Sequence, residues 1–515
     1  MTILTPSVLA GLEGPVGVYN IEADYTLNNT TLEIPADKTL KFNGGTINNG
    51  TLQLNNTLLQ DMVDGSINAK ITGTVQNSVI RTKQISGIDN LRLSDYSGMT
   101  INCDKNNDVL NHVIVLSNTN TTLTTTFDGK NNTFTCNSGF FKIEGQSNII
   151  IKNFFANANP NMSNLEFEEM KSSSANVTGI QVFSNIINGF RVGISLNSDT
   201  QNYTVSYCTV HHNIINNCPG STSGNGYGIH LANARHCTIT NNTLNNCKRH
   251  AIYHAYGEDN TISYNTIKNH CHNLTTYNLL AALEIGRKSK NVTVSHNTFE
   301  NNNNICLLVY SPLPNADDHG IIHGEDYPWR YGKCENINIH NNTFDRGNLT
   351  GNIGNLPFIY IGYEGATYAQ LAIGGYLVVD VHITNNTFKK NGGENHKCIK
   401  IHQCEQLTIQ GNTFELGLPS SPQSSEYLVF QIPHNYISGN SCQMIINQNL
   451  FNYLTTGIGN LYLMGENLSW ITTSYSPNYH VVWYNNTLQN QIIGGNTMYQ
   501  IYNPNYPPGN NCSIV

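Results

Sequence analysis

The chain has 515 residues and a formal net charge of −8, with charged side chains at 12% and hydrophobic side chains at 39% of positions. The charged fraction is about half of the roughly 25% found in average soluble proteins. The excess of acidic residues argues against nucleic acid as the main partner. No apolar stretch reaches the roughly 18 residues of a membrane-spanning helix, so no membrane insertion is predicted.

The first hundred residues predict short strands joined by turns. Segment 21–56 alternates β-prone runs with turns rich in Asn and Gly, a pattern typical of strands. Segment 108–116 predicts either a short amphipathic helix or another strand, which would cover the open end of a stack of coils. The N-terminus lacks a basic start followed by an apolar core and a cleavage site, so no signal peptide is predicted.

From about residue 180 onward, a β-prone run followed by Asn-Thr and an apolar residue recurs along the chain. The clearest copies end at Leu244, Phe299, Phe344, Phe388 and Phe414. Because the spacing between copies varies, the pattern predicts a stack of coils with insertions between them. Asn tolerates left-handed backbone, so each repeated Asn is predicted to occupy a turn, where stacked side chains can form an amide ladder.

The thirteen cysteines are predicted to be reduced and partly buried, because no secretion signal accompanies them. The pairs Cys208 and Cys218, and Cys237 and Cys247, recur with the same spacing, as expected for equivalent positions one coil apart. No Cys-x-x-Cys pair occurs, so no zinc site is predicted. The Asn-x-Thr triplets also match the glycosylation pattern, but their periodicity favours a structural role in turns.

These repeats resemble those of the right-handed parallel β-helix proteins of the pectate-lyase-like superfamily, a group that includes polysaccharide lyases, glycoside hydrolases and bacteriophage tailspikes. Segment 31–47 (TLEIPADKTLKFNGGTI) also looks like the start of β-helix proteins from gut bacteria and their phages. The resemblance implies an all-β chain with a β-rich or capping N-terminal region over 1–100. The β-helix body would follow over 101–500, and an irregular C-terminal tail over 501–515.

For function, the resemblance implies a tailspike-like homotrimer that binds a bacterial surface or capsular polysaccharide and depolymerises it as a lyase or a glycoside hydrolase. Its N-terminal region would attach to other phage tail proteins. A start without a secretion signal favours a virion tail over a secreted or cell-surface bacterial protein. The alternative is a non-catalytic receptor-binding or structural tail protein, since one fold hosts many functions.

A second set of strands alternates with the Asn-Thr repeats, and its period of two predicts which side chains face outward. One outward column is predicted to contain His230, Tyr253, Glu284, Leu308, Tyr360 and Lys400. A parallel column is predicted to contain Ala232, Ala255, Gly286, Tyr310, Gly362 and His402. Coils stack about 4.8 Å apart, and the small residues of the second column suggest a floor open to a ligand.

The first of these columns supplies the predicted catalytic residues. Glu284 is the first candidate for an acid or base, unless it only pairs with Arg287 at the strand end. Tyr253 or His230 would act as base in a β-elimination, with Arg287 or Lys248 offsetting the charge of a uronate.

Hydrolysis needs a second carboxylate. It would come from the insertion over 311–330, which contains Asp317, Asp318, Glu325 and Asp326. These carboxylates could instead hold calcium or belong to a solvated loop, and no other metal or cofactor is expected.

Several further residues are predicted to bind the glycan. In the insertion, Tyr327 and Trp329 could stack on sugar rings and Arg330 could pair with an anionic group. The basic cluster Lys248-Arg249-His250 is predicted to lie at a turn between coils, either as a glycan anchor or as a solvated corner. Along the columns, the binding surface would continue through Tyr360, Lys400 and His402. His254 is predicted to point inward as a core residue.

Overall fold

In the computed structural model the chain forms two compact units, Met1–Cys218 and Pro219–Val515. The structure describes residues 1–162, 165–171, 175–198, 200–220, 226–270, 281–302, 304–311, 332–347, 357–362, 378–390, 398–401, 404–416, 427–432, 442–453, 461–466, 479–484, 486–489, 498–499 and 512–514.

The first unit consists of short strands, one α-helix (Pro6–Gly11) and one 3₁₀-helix (Ile88–Asn90) within its described residues. Its strands are Thr2–Ile3, Val18–Ile21, Tyr25–Thr26, Thr31–Glu33, Thr39–Phe42, Ile47–Gln60, Ile67–Val75, Val79–Arg81, Leu91–Leu93, Thr100–Asn102, Asp108–Leu110, Ile114–Leu116, Thr125–Cys136, Phe141–Glu144, Ile149–Ala158, Glu166–Lys171, Val177–Thr178, Gln181–Phe183, Ile186–Asn188, Val192–Asn197, Val205–Ser206, Thr209–His211 and Ile214–Asn216.

Local sequence explains the ends of these elements. The α-helix starts after Thr5, whose hydroxyl accepts a hydrogen bond from the backbone N–H of Val8, and it buries Leu9, as expected for an N-cap residue. Of the two structures predicted for segment 108–116, the strand is confirmed, because Asp108–Leu110 and Ile114–Leu116 are both strands.

The second unit is built from three sheets of parallel strands, which we name A, B and C. Sheet A contains Thr238–Thr240, Thr261–Ser263, Lys290–Ser295, Cys334–His340, Val378–Thr384, Gln406–Gln410, Cys442–Asn447, Tyr479–Tyr484 and Cys512–Ile514. Sheet B contains Thr243–Asn245, Thr266–Lys268, Thr298–Glu300, Thr343–Asp345, Thr387–Lys390, Thr413–Leu416, Leu450–Tyr453 and Thr487–Gln489. Sheet C contains Tyr227–Ala232, His250–Ala255, Ala281–Gly286, Ile305–Tyr310, Ile359–Ile361, Ile399–Ile401, Tyr427–Ile432, Leu461–Glu466 and Met498–Tyr499. A short strand, Ala234–Arg235, follows the first strand of sheet C.

The repeated Asn-Thr-Phe phrase forms the junction between sheets A and B. Its Phe side chains are buried and stack on one another from Phe299 to Phe451, with ring centroids 4.8 to 5.0 Å apart. Five successive coils therefore contribute one ring each to the same stack in the core, while the equivalent positions of the two preceding coils are Leu244 and Ile267. Equivalent side chains lie one strand spacing apart, so the sequence can repeat one core residue at each level.

The asparagines of the phrase form a buried amide ladder. In the second unit these ladder asparagines are Asn242, Asn265, Asn297, Asn342, Asn386, Asn412, Asn449 and Asn486. Each Nδ2 donates to the Oδ1 of the next ladder residue at 2.9 to 3.0 Å. In the first unit, Asn185 donates to Asn213 in the same way, at 3.0 Å. The ladder side chains form hydrogen bonds with the turn from the inside of the coil. This explains why the same amide side chain recurs in each copy.

The predicted all-β parallel β-helix is confirmed by this arrangement. Ten cysteines whose side chains the structure describes, Cys208 and Cys237 among them, are buried thiols that form no disulfide bond, in agreement with the prediction of reduced thiols. No helix in the described part of the chain is long and apolar enough to cross a membrane.

Candidate functional site

The candidate site lies on the outward face of sheet C, over its first three strands, and all of its residues belong to the second unit. The strand register pairs His230 with Tyr253, Tyr253 with Glu284, and Glu284 with Leu308. It then pairs Leu308 with Tyr360, and Tyr360 with Lys400. The six residues therefore form one column in the order that the sequence predicts.

A departure from the period of two brings two further residues to this face. A Cβ on Gly228 would meet the core side chains of Leu244 and Cys247, so this position points inward, and its neighbour Ile229 is also buried. Because Gly228 and Ile229 both point inward, the residue before them, Tyr227, points outward. Tyr227 and His250, which pair in register, therefore join the column side chains on the outward face.

Four rings pack together at this point, and we call them the ring cluster: Tyr227, His230, His250 and Tyr253. The Tyr227 ring is nearly parallel to that of His230 (centroids 5.3 Å apart, 22°) and to that of His250 (5.7 Å, 13°). Tyr253 lies 5.3 Å from His230 and 5.4 Å from His250. Separations of this size are those at which aromatic rings attract one another, so the cluster is a packed unit.

Glu284 lies on the next strand and pairs with the ring cluster through His250. The His250 Nε2 is 3.1 Å from a Glu284 carboxylate oxygen, and its Nδ1 is 2.8 Å from the carbonyl oxygen of Ala281. A carbonyl only accepts hydrogen bonds, so Nδ1 carries a proton and donates. The second ring nitrogen is then fixed on Glu284, and one proton is shared between Nε2 and the carboxyl group.

Two guanidinium groups border this pair. Arg249 lies over the Tyr227 ring, with its Cζ 5.4 Å from the centroid. Arg287 donates to the Tyr256 hydroxyl at 2.7 Å and lies over the same ring. Cation–ring contacts of this kind fix the direction of an Arg side chain, so the two guanidinium groups are held over Tyr227 and Tyr256.

The predicted open floor is wrong for most of the column, because these side chains are buried in the folded chain. Glu284 is 3% exposed, His250 1% and Tyr253 6%, whereas His230 and Tyr227 are half-buried. The packing of the four rings against each other and against the carboxyl group accounts for part of this burial.

The other end of the column is apolar. Leu308, Tyr310 and Tyr360 form a buried cluster with Ala281 and Ile305. Beyond it, the Lys400 ammonium lies over the Tyr360 ring at 4.9 Å. The predicted binding residue Tyr360 is therefore a buried packing residue in this structure. Lys400, in contrast, is half-buried and remains accessible to solvent.

The predicted basic cluster at a turn is only partly right. Lys248 is exposed, but Arg249 is 7% exposed and His250 begins a sheet C strand. The reason is that both side chains pack on Tyr227. His250 therefore belongs to the ring cluster and Arg249 lies against it, so neither forms a solvated corner.

Several predicted site residues lie outside the described part of the chain. They are Asp317, Asp318, Glu325, Asp326, Tyr327, Trp329, Arg330 and His402. The predicted second carboxylate, the possible calcium site and the stacking residues of the insertion therefore stay predictions.

From inside the coil, a hydrogen-bond network supports the strand that carries the site. The Ser289 hydroxyl donates to the Gly286 carbonyl at 2.6 Å, so its oxygen accepts from His254 Nδ1 at 3.0 Å. His254 Nε2 then accepts from the Asn260 amide at 2.9 Å. His254 is fully buried, which confirms the prediction that it points inward, and the network ties its strand to the turn after Gly286.

Sequence reasoning missed Tyr227 as a site residue, and it placed His250 at a turn in the basic cluster rather than beside Glu284. The available signal was the pair of inward positions at the start of each strand: Gly228-Ile229, Ala251-Ile252 and Ala282-Leu283. A small residue followed by a large aliphatic one in all three strands indicates a local break in alternation, which resembles a β-bulge in its effect on side-chain direction.

Residues 227–367 match the family model described as a right handed beta helix region. This span contains the whole candidate site. No curated protein is detectably similar to the chain in sequence.

Solved structures with a similar fold include enzymes and viral proteins, all at low identity. The catalytic unit of a GH87 α-1,3-glucanase from Streptomyces thermodiastaticus is 14% identical, with a TM-score of 0.49, and the match covers 76% of this chain and 64% of that one. ORF18 of Geobacillus virus E2 is 12% identical, with a TM-score of 0.38 and coverages of 74% and 56%. The tailspike protein of E. coli bacteriophage HK620, solved as a mutant in complex with a pentasaccharide, is 13% identical, with a TM-score of 0.36 and coverages of 90% and 74%.

The chain thus spans less than two thirds of the first two of these structures. The fold follows from the structure itself and from the family match over residues 227–367. The stacked parallel strands form a right-handed parallel β-helix.

Proposed function

We propose that the outward face of sheet C binds a polysaccharide and that the His250–Glu284 pair transfers protons to cleave it. One observation carries the proposal: the His250 imidazole, packed among three other rings, lies 3.1 Å from the Glu284 carboxyl group, on a face that the coil does not use as its core. Paired titratable groups in such surroundings are candidates for acid–base catalysis.

The ring cluster and the two neighbouring arginines, Arg249 and Arg287, have the chemical groups that bind a sugar chain. Tyr and His present flat ring faces to the C–H groups of a sugar and polar edges to its hydroxyls. The half-buried rings of Tyr227 and His230 would receive the first sugar unit. Arg249 and Arg287 would pair with a carboxylate or sulfate, for which guanidinium groups are well suited.

The residues at the site favour elimination over hydrolysis. Hydrolysis uses two carboxyl groups that flank the bond, and strands 227–232, 250–255 and 281–286 carry only one, Glu284. Elimination from a uronate needs a base for the C5 proton, an acid for the leaving oxygen and a cation for the carboxylate. His250 with Glu284 would serve as the base, Tyr253 as the acid, and Arg249 would offset the charge.

A second candidate function is glycan binding without catalysis, on the same face. The observation that favours it is the burial of Glu284 and His250, at 3% and 1% exposure. A buried ion pair can be purely structural, and the half-buried rings alone would then make the contacts.

Incubation with capsular polysaccharides tests both functions. For elimination we expect ultraviolet absorbance from a new unsaturated uronate, together with new reducing ends. Glu284→Gln should lower the rate about 100-fold or more, in line with the loss of a general base, and Glu300→Gln, a carboxylate on sheet B, should leave it unchanged.

Other outcomes assign the function differently. Reducing ends without absorbance would indicate hydrolysis. Binding without either product would favour the non-catalytic function, and unchanged activity in Glu284→Gln would remove this residue from the mechanism. Thermal melting of both variants controls for folding.

A further inference from the structure

A second exposed ring pair lies on a different sheet, at the turn between sheets A and B. Tyr264 and His296 each directly precede a ladder asparagine, and their rings are stacked with centroids 4.7 Å apart at an angle of 13°. The ring of His340 lies edge-on to His296 at 5.9 Å. Tyr264 is 56% exposed and His296 is also exposed, so the stack presents aromatic surface to solvent.

The backbone at this position is not the one that Tyr and His prefer. Residues directly before the ladder asparagines have positive φ throughout the described coils of the second unit: Asn241, Tyr264, His296, Asn341, Asn385, Gly411 and Gln448. Tyr264 has φ 56° and His296 has φ 57°, in the left-handed region that favours Asn and Gly. The backbone of the turn does not require these two rings, because Asn forms the same turn at neighbouring levels, although the stacked rings attract one another.

Backbone strain at an exposed position where a smaller residue forms the same turn points to function. The two rings lie on consecutive coils, stacked on one another, at the positions where the turn would otherwise carry small amides. Their edges border the strand ends of sheet A, where Thr240, Ser263, Ser295 and His340 follow one another in register.

The strand ends that flank the rings carry polar groups without formal charge. Thr240 is half-buried; its hydroxyl accepts from the Asn241 amide at 3.2 Å and lies 3.3 Å from the hydroxyl of Ser263, which, like Ser295, is buried. On the far side, the Asn341 amide lies 3.1 Å from His340 Nδ1. A flat ring face bordered by hydroxyl and amide groups matches a neutral sugar, whose C–H face packs on a ring while its hydroxyls form hydrogen bonds.

Two other ligand classes fit less well. A protein partner needs about 800 Å² per side with an apolar centre, and two rings beside a hydroxyl-rich strand end do not supply one. A structural or catalytic metal needs three or more ligands, and the described residues hold no cluster of three His, Cys, Asp or Glu side chains.

We infer that Tyr264 and His296 form a second carbohydrate-binding platform, for a neutral sugar unit, separate from the Glu284 face. It extends the proposed function, because the platform would hold a glycan without any part in its cleavage. Its existence does not depend on activity at sheet C.

The turn itself supplies a sharp test. Tyr264→Asn introduces the residue that the same turn carries at Asn241 and Asn341, so the variant should melt at the wild-type temperature or above it. Affinity gels containing dextran, mannan or arabinogalactan would measure binding. We expect retardation of the wild type by at least one of these neutral polysaccharides and about fivefold to tenfold weaker binding by Tyr264→Asn, with His296→Asn behaving in the same way.

A matched control comes from the first unit. Tyr207 is also exposed, at 65%, with φ 53°, so Tyr207→Asn makes the same chemical change in the same backbone region. It should leave the retardation unchanged. Tyr253→Ala, run in parallel, separates the platform from the sheet C face, because platform binding should survive it.

Three results would overturn the inference. One is the absence of retardation in all three gels, and another is equal retardation of the wild type and Tyr264→Asn. The third is wild-type self-association on analytical ultracentrifugation that Tyr264→Asn abolishes, which would assign the rings to contact with a second copy of the chain.

Discussion

His254 is a buried titratable side chain whose protonation state contributes to stability. Burial lowers its pKa from 6.5 to about 4, and burial likewise lowers the pKa of His270 to about 3. The hydrogen bonds of His254 suit the neutral ring, which donates from Nδ1 and accepts at Nε2. A second proton would break the bond from Asn260.

This pKa difference predicts that the folded chain already loses stability at pH values above those at which carboxylates titrate. As pH falls from about 6.5 to about 4, the unfolded state binds a proton that the folded state excludes, so the free energy of unfolding decreases. The pKa difference corresponds to a loss of about 3 kcal/mol at most. His254→Gln should reduce the decrease in the free energy of unfolding by that amount. Urea unfolding at pH 4, 5, 6 and 7 would measure it.

The half-buried His382, which pairs with Asp380 at 2.9 Å, supplies the control, since His382→Gln removes an imidazole but leaves the hydrogen bonds of His254 intact and should leave the loss of stability attributed to His254 in place. A wild-type stability that stays constant between pH 7 and pH 4 would contradict the proposed neutral state of His254.

At the scale of the element, each ladder asparagine joins three coils. The Asn342 Nδ2 donates to Asn386 Oδ1 at 3.0 Å and to the Val294 carbonyl at 2.9 Å. Its Oδ1 accepts from the backbone N–H and the amide of Asn297. The side chain is 1% exposed, so water cannot replace these bonds.

Asn342→Ala should therefore destabilise the chain by about 3 kcal/mol or more, because buried donors and an acceptor lose their partners. Guanidinium unfolding followed by circular dichroism would measure the change. Asn341→Gly is the matched control: it alters the exposed neighbour but keeps a residue suited to φ 57°, and we expect a change below about 0.5 kcal/mol. Equal effects of the two substitutions would argue against the ladder as a source of stability.

The strands also explain how much of the site the sequence could predict. The column from His230 to Lys400 followed from alternation, because the core side of each strand is aliphatic and the register repeats. Tyr227 and His250 did not follow, since alternation fails where Gly228 and Ile229 both point inward. Burial of Glu284 could not be predicted either, because it depends on how rings from separate coils pack together.

At the scale of the whole molecule, the thiols that the structure describes are distributed through the core. The side chains of ten of the thirteen cysteines are described, and all ten are buried and form no disulfide bond. Burial raises the pKa of Cys103 well above its ordinary value and that of Cys334 to about 12. A buried thiol that stays protonated is a poor nucleophile.

We therefore expect the native chain to expose few reactive thiols. With a thiol-specific chromogenic disulfide reagent, no more than the three remaining cysteines should react quickly, and the others only after denaturant is added. A reducing agent should leave the melting temperature unchanged. Rapid native labelling of more than three thiols would show that the coils open locally far more often than their packing suggests.

The amide ladder also has a direction. Each ladder residue donates hydrogen bonds from its backbone N–H and its side-chain amide to the side-chain oxygen of the ladder residue in the following coil, as Asn242 does to Asn265. A cut through the stack would leave bare oxygen acceptors on one face and bare N–H donors on the other. The two cut faces are complementary, so fragments of this coil should polymerise head to tail into fibres, and soluble truncations will need a blocking residue at each new end.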